Sequence, residues 1–292
     1  MGLMITKKTA PFCIVGAGIC WGMIGLFSRH LAALDYSPVQ LTFGRSLITA
    51  LGMLLYMAAF HGQDLCLAVK DIWIFFGTGL CSIVFFNVCY FTAIQLTTLS
   101  VAAILLYTAP SIVMILSVIL FKERFTRRKA CCLVLAFAGC ALVSGLGLGE
   151  INVPGILAGL SAGFGYALYS IFGRYALQKY TPYAVTTWTF VIASLGLLPF
   201  ADVPMMAQVV MDTPVALAWL ALLGILSTTA PFLLYTLGLQ HMEAGKASIL
   251  ASIEPLTSTV VGIVVFHEAL TTVGVVGILC ILGAVILLNS KS

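Results

Sequence analysis

The stretch Gly79–Thr126, GLCSIVFFNVCYFTAIQLTTLSVAAILLYTAPSIVMILSVILFKERFT, returns 145 residues later as Gly224–Thr271, GILSTTAPFLLYTLGLQHMEAGKASILASIEPLTSTVVGIVVFHEALT. Gly79 matches Gly224, Ser82 matches Ser227, Tyr90 matches Tyr235 and Gln95 matches Gln240. In the same register Ala102, Ile104, Leu105 and Pro110 reappear as Ala247, Ile249, Leu250 and Pro255. Phe121, Glu123 and Thr126 reappear as Phe266, Glu268 and Thr271. A constant offset marks an internal duplication, which composition alone does not produce. The copies reach back to Gly18 and Arg29, answered by Gly163 and Arg174, so the halves divide at 1–148 and 149–292.

Composition names the solvent. The chain is 61% hydrophobic and 8% charged with a mean hydropathy of +1.13, against roughly 25% charged residues in a soluble domain. Ten apolar runs follow one another, at about 11–29, 38–59, 71–93, 99–121, 129–147, 154–172, 183–199, 213–239, 246–266 and 271–288. Each approaches the ~20 residues that cross a hydrocarbon core; the seventh is the weakest, ended early by Pro199. The expected fold is an all-α polytopic membrane protein. The first run follows Lys7 and Lys8, as a signal peptide does, but it is longer than a signal core and has a counterpart in the second half. It is read as a retained span. The nine cysteines are scattered, without a C-x-x-C pair or a histidine nearby, and read as small hydrophobes.

Charge sets the orientation. Lys122, Arg124, Arg127, Arg128 and Lys129 fill a short loop between the fourth and fifth runs. A loop so flanked does not read as a nucleic-acid surface; the positive-inside rule places it in the cytoplasm. Lys7, Lys8, Lys70, Arg174, Lys179, Lys246 and Lys291 then fall inside, while Asp35, Glu150, Asp202, Asp212 and Glu268 fall outside. Both termini are expected in the cytoplasm and the protein in the cytoplasmic membrane. In the second copy Ala269, Thr272, Val273 and Gly274 replace Arg124, Arg127, Arg128 and Lys129. The same element is basic once and uncharged once, as expected if an odd number of spans per half inverts the second half. Two inverted five-helix repeats with a site between them is a transporter architecture. Gly18 with Gly22, and Gly155, Gly159 and Gly163, lie on single faces and read as close packing, within or between chains.

These residues resemble the drug/metabolite transporter superfamily, in its EamA-like ten-helix branch. The pattern of tyrosine, central proline, terminal acid and glycine reads Tyr90…Pro110…Glu123…Gly139 in one half. In the other it reads Tyr235…Glu254-Pro255…Glu268…Gly283. Arg45, early in the second span, is also typical of the family. The resemblance covers nearly the whole chain and implies transport of small solutes by alternating access without ATP hydrolysis. It leaves the substrate open, since members move amino acids, other metabolites, sugars and toxic compounds. The chain itself has no P-loop, and no motif asks for a cofactor.

Glu254 is the sharpest single candidate, because a charge in mid-span costs on the order of 3 kcal/mol. Three roles fit it: proton coupling or gating, contact with a cationic substrate group, and a structural pair with Arg45. Pro110 and Pro255 each remove a mid-span hydrogen bond, and their match across the halves points to a binding site or gate. Pro231 does the same beside Ser227, Thr228 and Thr229, whose hydroxyls can serve the freed carbonyls. Two small, polar seams face inward by their spacing: Ala103, Tyr107, Pro110, Met114 and Ser117, and Ser248, Ser252, Pro255, Thr259 and Gly262. Trp21, Asn87, Tyr90, Tyr107, Tyr166, Tyr169, Tyr235, Ser248 and Ser252 would line a cavity for a small organic solute. Arg45 suits a substrate carboxylate, a structural pair or snorkelling toward the surface. The four histidines fall near span ends without ligand spacing, so no metal is expected.

The leading expectation is a secondary transporter that exports or exchanges amino acids or related amines, with a small molecule and the bilayer as partners and protons as a candidate third. A passive facilitator or channel and an exporter of toxic compounds are the alternatives. An enzyme would need a carboxylate pair, a catalytic triad or a metal cluster, and none is present in the sequence. The chain suffices as a monomer, and a homodimer remains open.

Overall fold

The computed structural model of the protein describes residues 6–144, 152–269 and 271–289. Glu150, Lys291 and the boundary between the halves lie outside the described residues. All regular structure among the described residues is helical. We number ten rods in chain order: α1 Ala10–Ala32, α2 Pro38–Phe60, α3 Val69–Leu96, α4 Leu99–Phe121, α5 Arg127–Ser144, α6 Val153–Ala176, α7 Pro182–Phe200, α8 Val215–Leu239, α9 Ala244–Phe266 and α10 Thr272–Asn289. Nine are long and apolar enough to cross a membrane on length and composition. The exception is α5, whose first turn carries Arg127, Arg128 and Lys129; its remaining residues are apolar and pack along α10. Large apolar side chains such as Leu55, Ile119, Val264 and Ile286 face outward, as they must where the bilayer is the solvent.

The rods begin where capping chemistry allows. Ser37 precedes Pro38 and forms a reciprocal box with Gln40: Ser37 Oγ accepts from Gln40 N at 3.3 Å, and Gln40 Oε1 accepts from Ser37 N at 2.7 Å. Thr181 precedes Pro182 and caps Ala184 N at 3.3 Å, a one-way cap at the start of the corresponding rod.

The duplication is visible residue by residue. In α3 the backbone widens to a π-helix over Gly77–Val84, and in α8 over Ile225–Thr229. Both α4 and α9 are broken rather than merely kinked. Leu99–Leu106 is followed by Ala109–Phe121, and Ala244–Ala251 by Glu254–Phe266, each bound shifted by the same 145 residues. Pro110 and Pro255 are the second residues of the second pieces, in the first turn where a missing N–H costs nothing. Both end at a left-handed residue, Lys122 (φ 55°) and His267 (φ 54°). Glu123 N then donates to Ser117 O at 3.3 Å and Glu268 N to Gly262 O at 3.1 Å, closing matching Schellman turns.

Packing follows a pseudo-two-fold exchange: α6 lies along α3 as α1 lies along α8, while α2 meets α7 and α5 meets α10. The glycine faces work within the chain. A Cβ on Gly163 would stand 2.7 Å from Thr108 Oγ1 in the break of α4, and one on Gly18 would stand 3.0 Å from Ala251 O at the break of α9. Gly22 is tighter, with Glu254 O at 2.6 Å. These helices touch backbone to backbone because nothing else fits. One contact breaks the symmetry. The first piece of α9 packs on the second piece of α4, but the corresponding first piece of α4 and second piece of α9 are splayed apart around a cavity.

Candidate functional site

The cavity measures about 980 Å³ and opens at the end that carries Arg29, Leu99, Ser100 and Glu268. Its polar wall starts from Asn87 on α3. Just after the π segment, Asn87 Nδ2 donates to Ile83 O at 2.7 Å, which turns Oδ1 toward α2. There Asn87 Oδ1 accepts from Thr42 Oγ1 at 3.2 Å and from Arg45 Nη2 at 3.5 Å. Arg45 is therefore buried beside the cavity, 8% exposed, rather than snorkelling outward. Facing it, Glu254 opens the second piece of α9 and accepts from Tyr166 Oη at 3.4 Å. The break in α9 places this carboxylate on the wall at mid-span. Among the described residues the ion pairs within 4 Å do not join Arg45 to Glu254. Two opposite charges thus line one cavity without being bonded to each other.

The floor is aromatic. The Trp21 ring lies 5.1 Å from Phe232, 5.4 Å from Tyr235 and 6.5 Å from Tyr166. Beneath it, a second space of about 30 Å³ is walled by Pro110, Tyr169, Tyr235, Ser248 and others, room for roughly one water. Hydroxyls pair there: Ser170 Oγ with Tyr235 Oη at 2.7 Å, and Tyr169 Oη with Thr236 Oγ1 at 2.9 Å.

The far end, rich in lysine and arginine, is shut. Glu123 accepts from the backbone N–H groups of Ala244 (2.9 Å) and Gly245 (3.3 Å), the opening residues of α9. Arg174 Nη1 donates to Leu239 O (2.8 Å) and Met242 O (3.1 Å), at the end of α8. Lys129 Nζ meets Glu243 Oε2 at 2.8 Å, and Lys246 Nζ meets the same oxygen at 3.3 Å. Burial alone would raise the Glu243 pKa, but the hydrogen bonds and charge of Lys129 and Lys246 outweigh it and hold the group below its usual 4.5.

Of the residues singled out in the sequence, Trp21, Arg45, Asn87, Tyr90, Tyr107, Tyr166, Glu254 and Pro255 share the large cavity. Pro110, Tyr169, Tyr235 and Ser248 surround the small space below it, on which Trp21 and Tyr166 also border. Ser252 and Pro231 stand on neither wall. Ser252 Oγ donates to Ser248 O at 3.4 Å. Pro231 follows the π segment of α8, where Thr228 Oγ1 donates to Leu223 O (2.8 Å) and Thr229 Oγ1 to Gly224 O (2.9 Å); these carbonyls are loosened by the π segment and not by the proline, and the buried Ser227 Oγ bonds to no described group. Sequence reasoning missed Thr42, Phe86 and Phe232. Thr42 was readable, three residues before Arg45 on the same helical face; the two phenylalanines look like any lipid-facing aromatic.

Comparison with known proteins agrees with this geometry. The chain is 32% identical over 198 residues to an uncharacterized transporter of Archaeoglobus fulgidus, covering 68% of this chain and 70% of that protein. It is 24% identical to the uncharacterized transporter YetK of Bacillus subtilis, across 97% of this chain and 88% of that one. A solved crystal structure superposes with a TM-score of 0.80 over 97% of this chain and 96% of its own, at 19% identity, which speaks for the fold alone. The family model matches twice, at residues 8–145 and 153–290. This duplicated, cavity-bearing, multi-pass membrane chain belongs to the EamA-like transporter family of the drug/metabolite transporter superfamily.

Proposed function

We propose that the protein is a secondary transporter that exports or exchanges amino acids or related amines across the cytoplasmic membrane by alternating access. The observation that carries this reading is the unbonded pair Arg45 and Glu254 on one solute-sized cavity. A zwitterion satisfies both: its carboxylate meets the Arg45 guanidinium beside Asn87, and its ammonium meets Glu254 beside Tyr166. Trp21, Phe232 and Tyr90 receive an apolar side chain. A solute that carries both complementary charges gains a charge-assisted bond at each end. The bias of basic residues toward the shut end supports a cytoplasmic position for that end and for both termini. The open cavity then faces outward, and the state described is outward-facing. Protons are the proposed coupling ion, carried by Glu254, and the working unit is a monomer or a homodimer.

Counterflow in proteoliposomes tests the reading, with radiolabelled amino acids and amines, with and without a pH gradient, for the natural protein and Glu254→Gln. Loss of both exchange and gradient-driven uptake in the variant is the expected result, because a glutamine at that position neither pairs with the ammonium nor carries the proton. Exchange that survives with loss of gradient-driven uptake keeps Glu254 as the coupling acid and removes it from the ammonium's site. No counterflow of any panel member sinks the substrate class.

A further inference from the structure

The two ends of the molecule hold the same four groups in two different arrangements. At the shut end Glu123 accepts from the N–H groups of Ala244 and Gly245, and Arg174 donates to the carbonyls of Leu239 and Met242. Carried through the 145-residue offset between Gly79 and Gly224, Glu123 becomes Glu268 and Arg174 becomes Arg29. The N–H groups become those of Leu99 and Ser100, and the carbonyls those of Ile94 and Thr97. Among the described residues these bonds are not made at the open end. Arg29 and Glu268 pair with each other at 2.7 Å, each about half exposed (53% and 49%), with the guanidinium 4.3 Å from the centre of the Phe266 ring. Ile94, Leu99 and Ser100 stand on the wall of the same mouth. The next donor of that helix, Val101 N, is already served by Thr98 Oγ1 at 3.2 Å.

We propose that Glu268 and Arg29 are the second gate, and that transport exchanges the two arrangements. When the mouth closes, Glu268 leaves Arg29 and caps the N–H groups of Leu99 and Ser100, while Arg29 turns to the carbonyls of Ile94 and Thr97. At the other end Glu123 and Arg174 are released and pair with each other, as Glu268 and Arg29 do now. Each gate thus closes on two helix termini, one of each polarity, and opens into a solvated ion pair. The charges stay bonded in both states, so neither leaves an orphaned ion behind. The exposed pair is screened by water and weak; the part-buried, charge-assisted caps are the stronger bonds. Removing either member of a gate therefore favours the state in which that gate is open.

The proposal rests on the alternating-access reading, and its test needs no substrate, so the two fail separately. A single reporter, Ser100→Cys, is placed in a chain whose nine native cysteines are replaced, and its labelling by an impermeant maleimide is timed in membranes. Glu268→Gln is expected to raise the labelling rate and Glu123→Gln to lower it, each by about threefold or more. The double variant returns toward the starting rate. Shifts in the same direction, or no shift in either variant, overturn the proposal. Should a glutamine variant fail to reach the membrane, Arg29→Gln and Arg174→Gln repeat the measurement with the same two signs.

Discussion

The broken helices α4 and α9 share their geometry to the residue and differ in chemistry. Glu254 opens the second piece of α9 where Ala109 opens that of α4. Tyr107 stands on the cavity wall, while its counterpart Ser252 is buried toward the shut end. A similar contrast separates α2 from α7: Arg45 is answered by Thr189 and Phe190, both fully buried. What the duplication preserves is the frame: the π-widened helix, the break, the left-handed turn and the acid beyond it. What it leaves single is the charge on the cavity wall, Arg45 and Glu254. A carrier must open at both ends, which calls for two hinges, but it holds its solute in one place, which calls for one site.

The comparison can be broken most severely by moving the acid. Ala109 is 1% exposed among apolar neighbours, so Ala109→Glu buries a charge without a partner and costs at least about 3 kcal/mol. The expected outcome is loss of monodisperse protein in detergent, even when Glu254→Ala keeps the total charge constant. A well-folded, active swap would show that the two breaks are interchangeable.

A second prediction tests the frame. Gly163→Leu forces a side chain against Thr108 and the carbonyls of Leu105 and Leu106 and is expected to cost about 2–3 kcal/mol, read as a lowered thermal midpoint. Gly52 has open space around it, so Gly52→Ala is expected to be neutral or to stabilise by about 0.5–1 kcal/mol. Equal effects at the two glycines would remove close packing as the reason for Gly163.

The third sharpens the single-site half of the argument. Arg45→Ala is expected to raise the KM for a carboxylate-bearing solute about tenfold while leaving a decarboxylated amine little changed. Arg45→Lys recovers part of the loss, because an ammonium cannot reproduce the planar fork. An equal effect on both solutes would return Arg45 to a structural role.

The smallest effect concerns the shut end. The Glu243 pKa is lowered below 4.5 by Lys129 and Lys246 despite burial. The stabilisation of this end is therefore fully present above pH about 4.5 and disappears as the pH falls through the lowered value. The thermal midpoint is expected to fall as the pH drops through that window, and Glu243→Gln to flatten that fall. Lys246→Ala, which removes an ion pair 43% exposed on the lysine side, should change the stability by less than about 1 kcal/mol.

Much of this frame was legible in the sequence because duplication gives every signal twice. A lone Pro110 reads as a kink; Pro110 with Pro255 locates a shared break. The full break was less legible, since Tyr107–Thr108 and Ser252–Ile253 carry no glycine to announce a helix end. The π segments left only indirect signs, the threonines before Pro231 and none so clear in α3. The cavity's charges were readable because a mid-span Glu or Arg stands out against an apolar background. Its aromatics were half readable: tyrosines attract notice by their hydroxyls, but Phe86 and Phe232 do not. The roles of Glu123 and Arg29 were hidden altogether, because their partners are backbone groups or residues more than a hundred positions away.

The small space beneath the aromatic floor changes the chemistry of the wall. Ser82, Ser170, Tyr235 and Ser248 border it together with apolar side chains such as Ile83, Val113 and Phe232, so where the charges of the upper cavity end, neutral groups continue. A hydroxyl gives and accepts bonds of middling strength and trades partners by rotating one torsion. With room for roughly one water, this seam must widen before a solute held at Arg45 and Glu254, as proposed, can pass it.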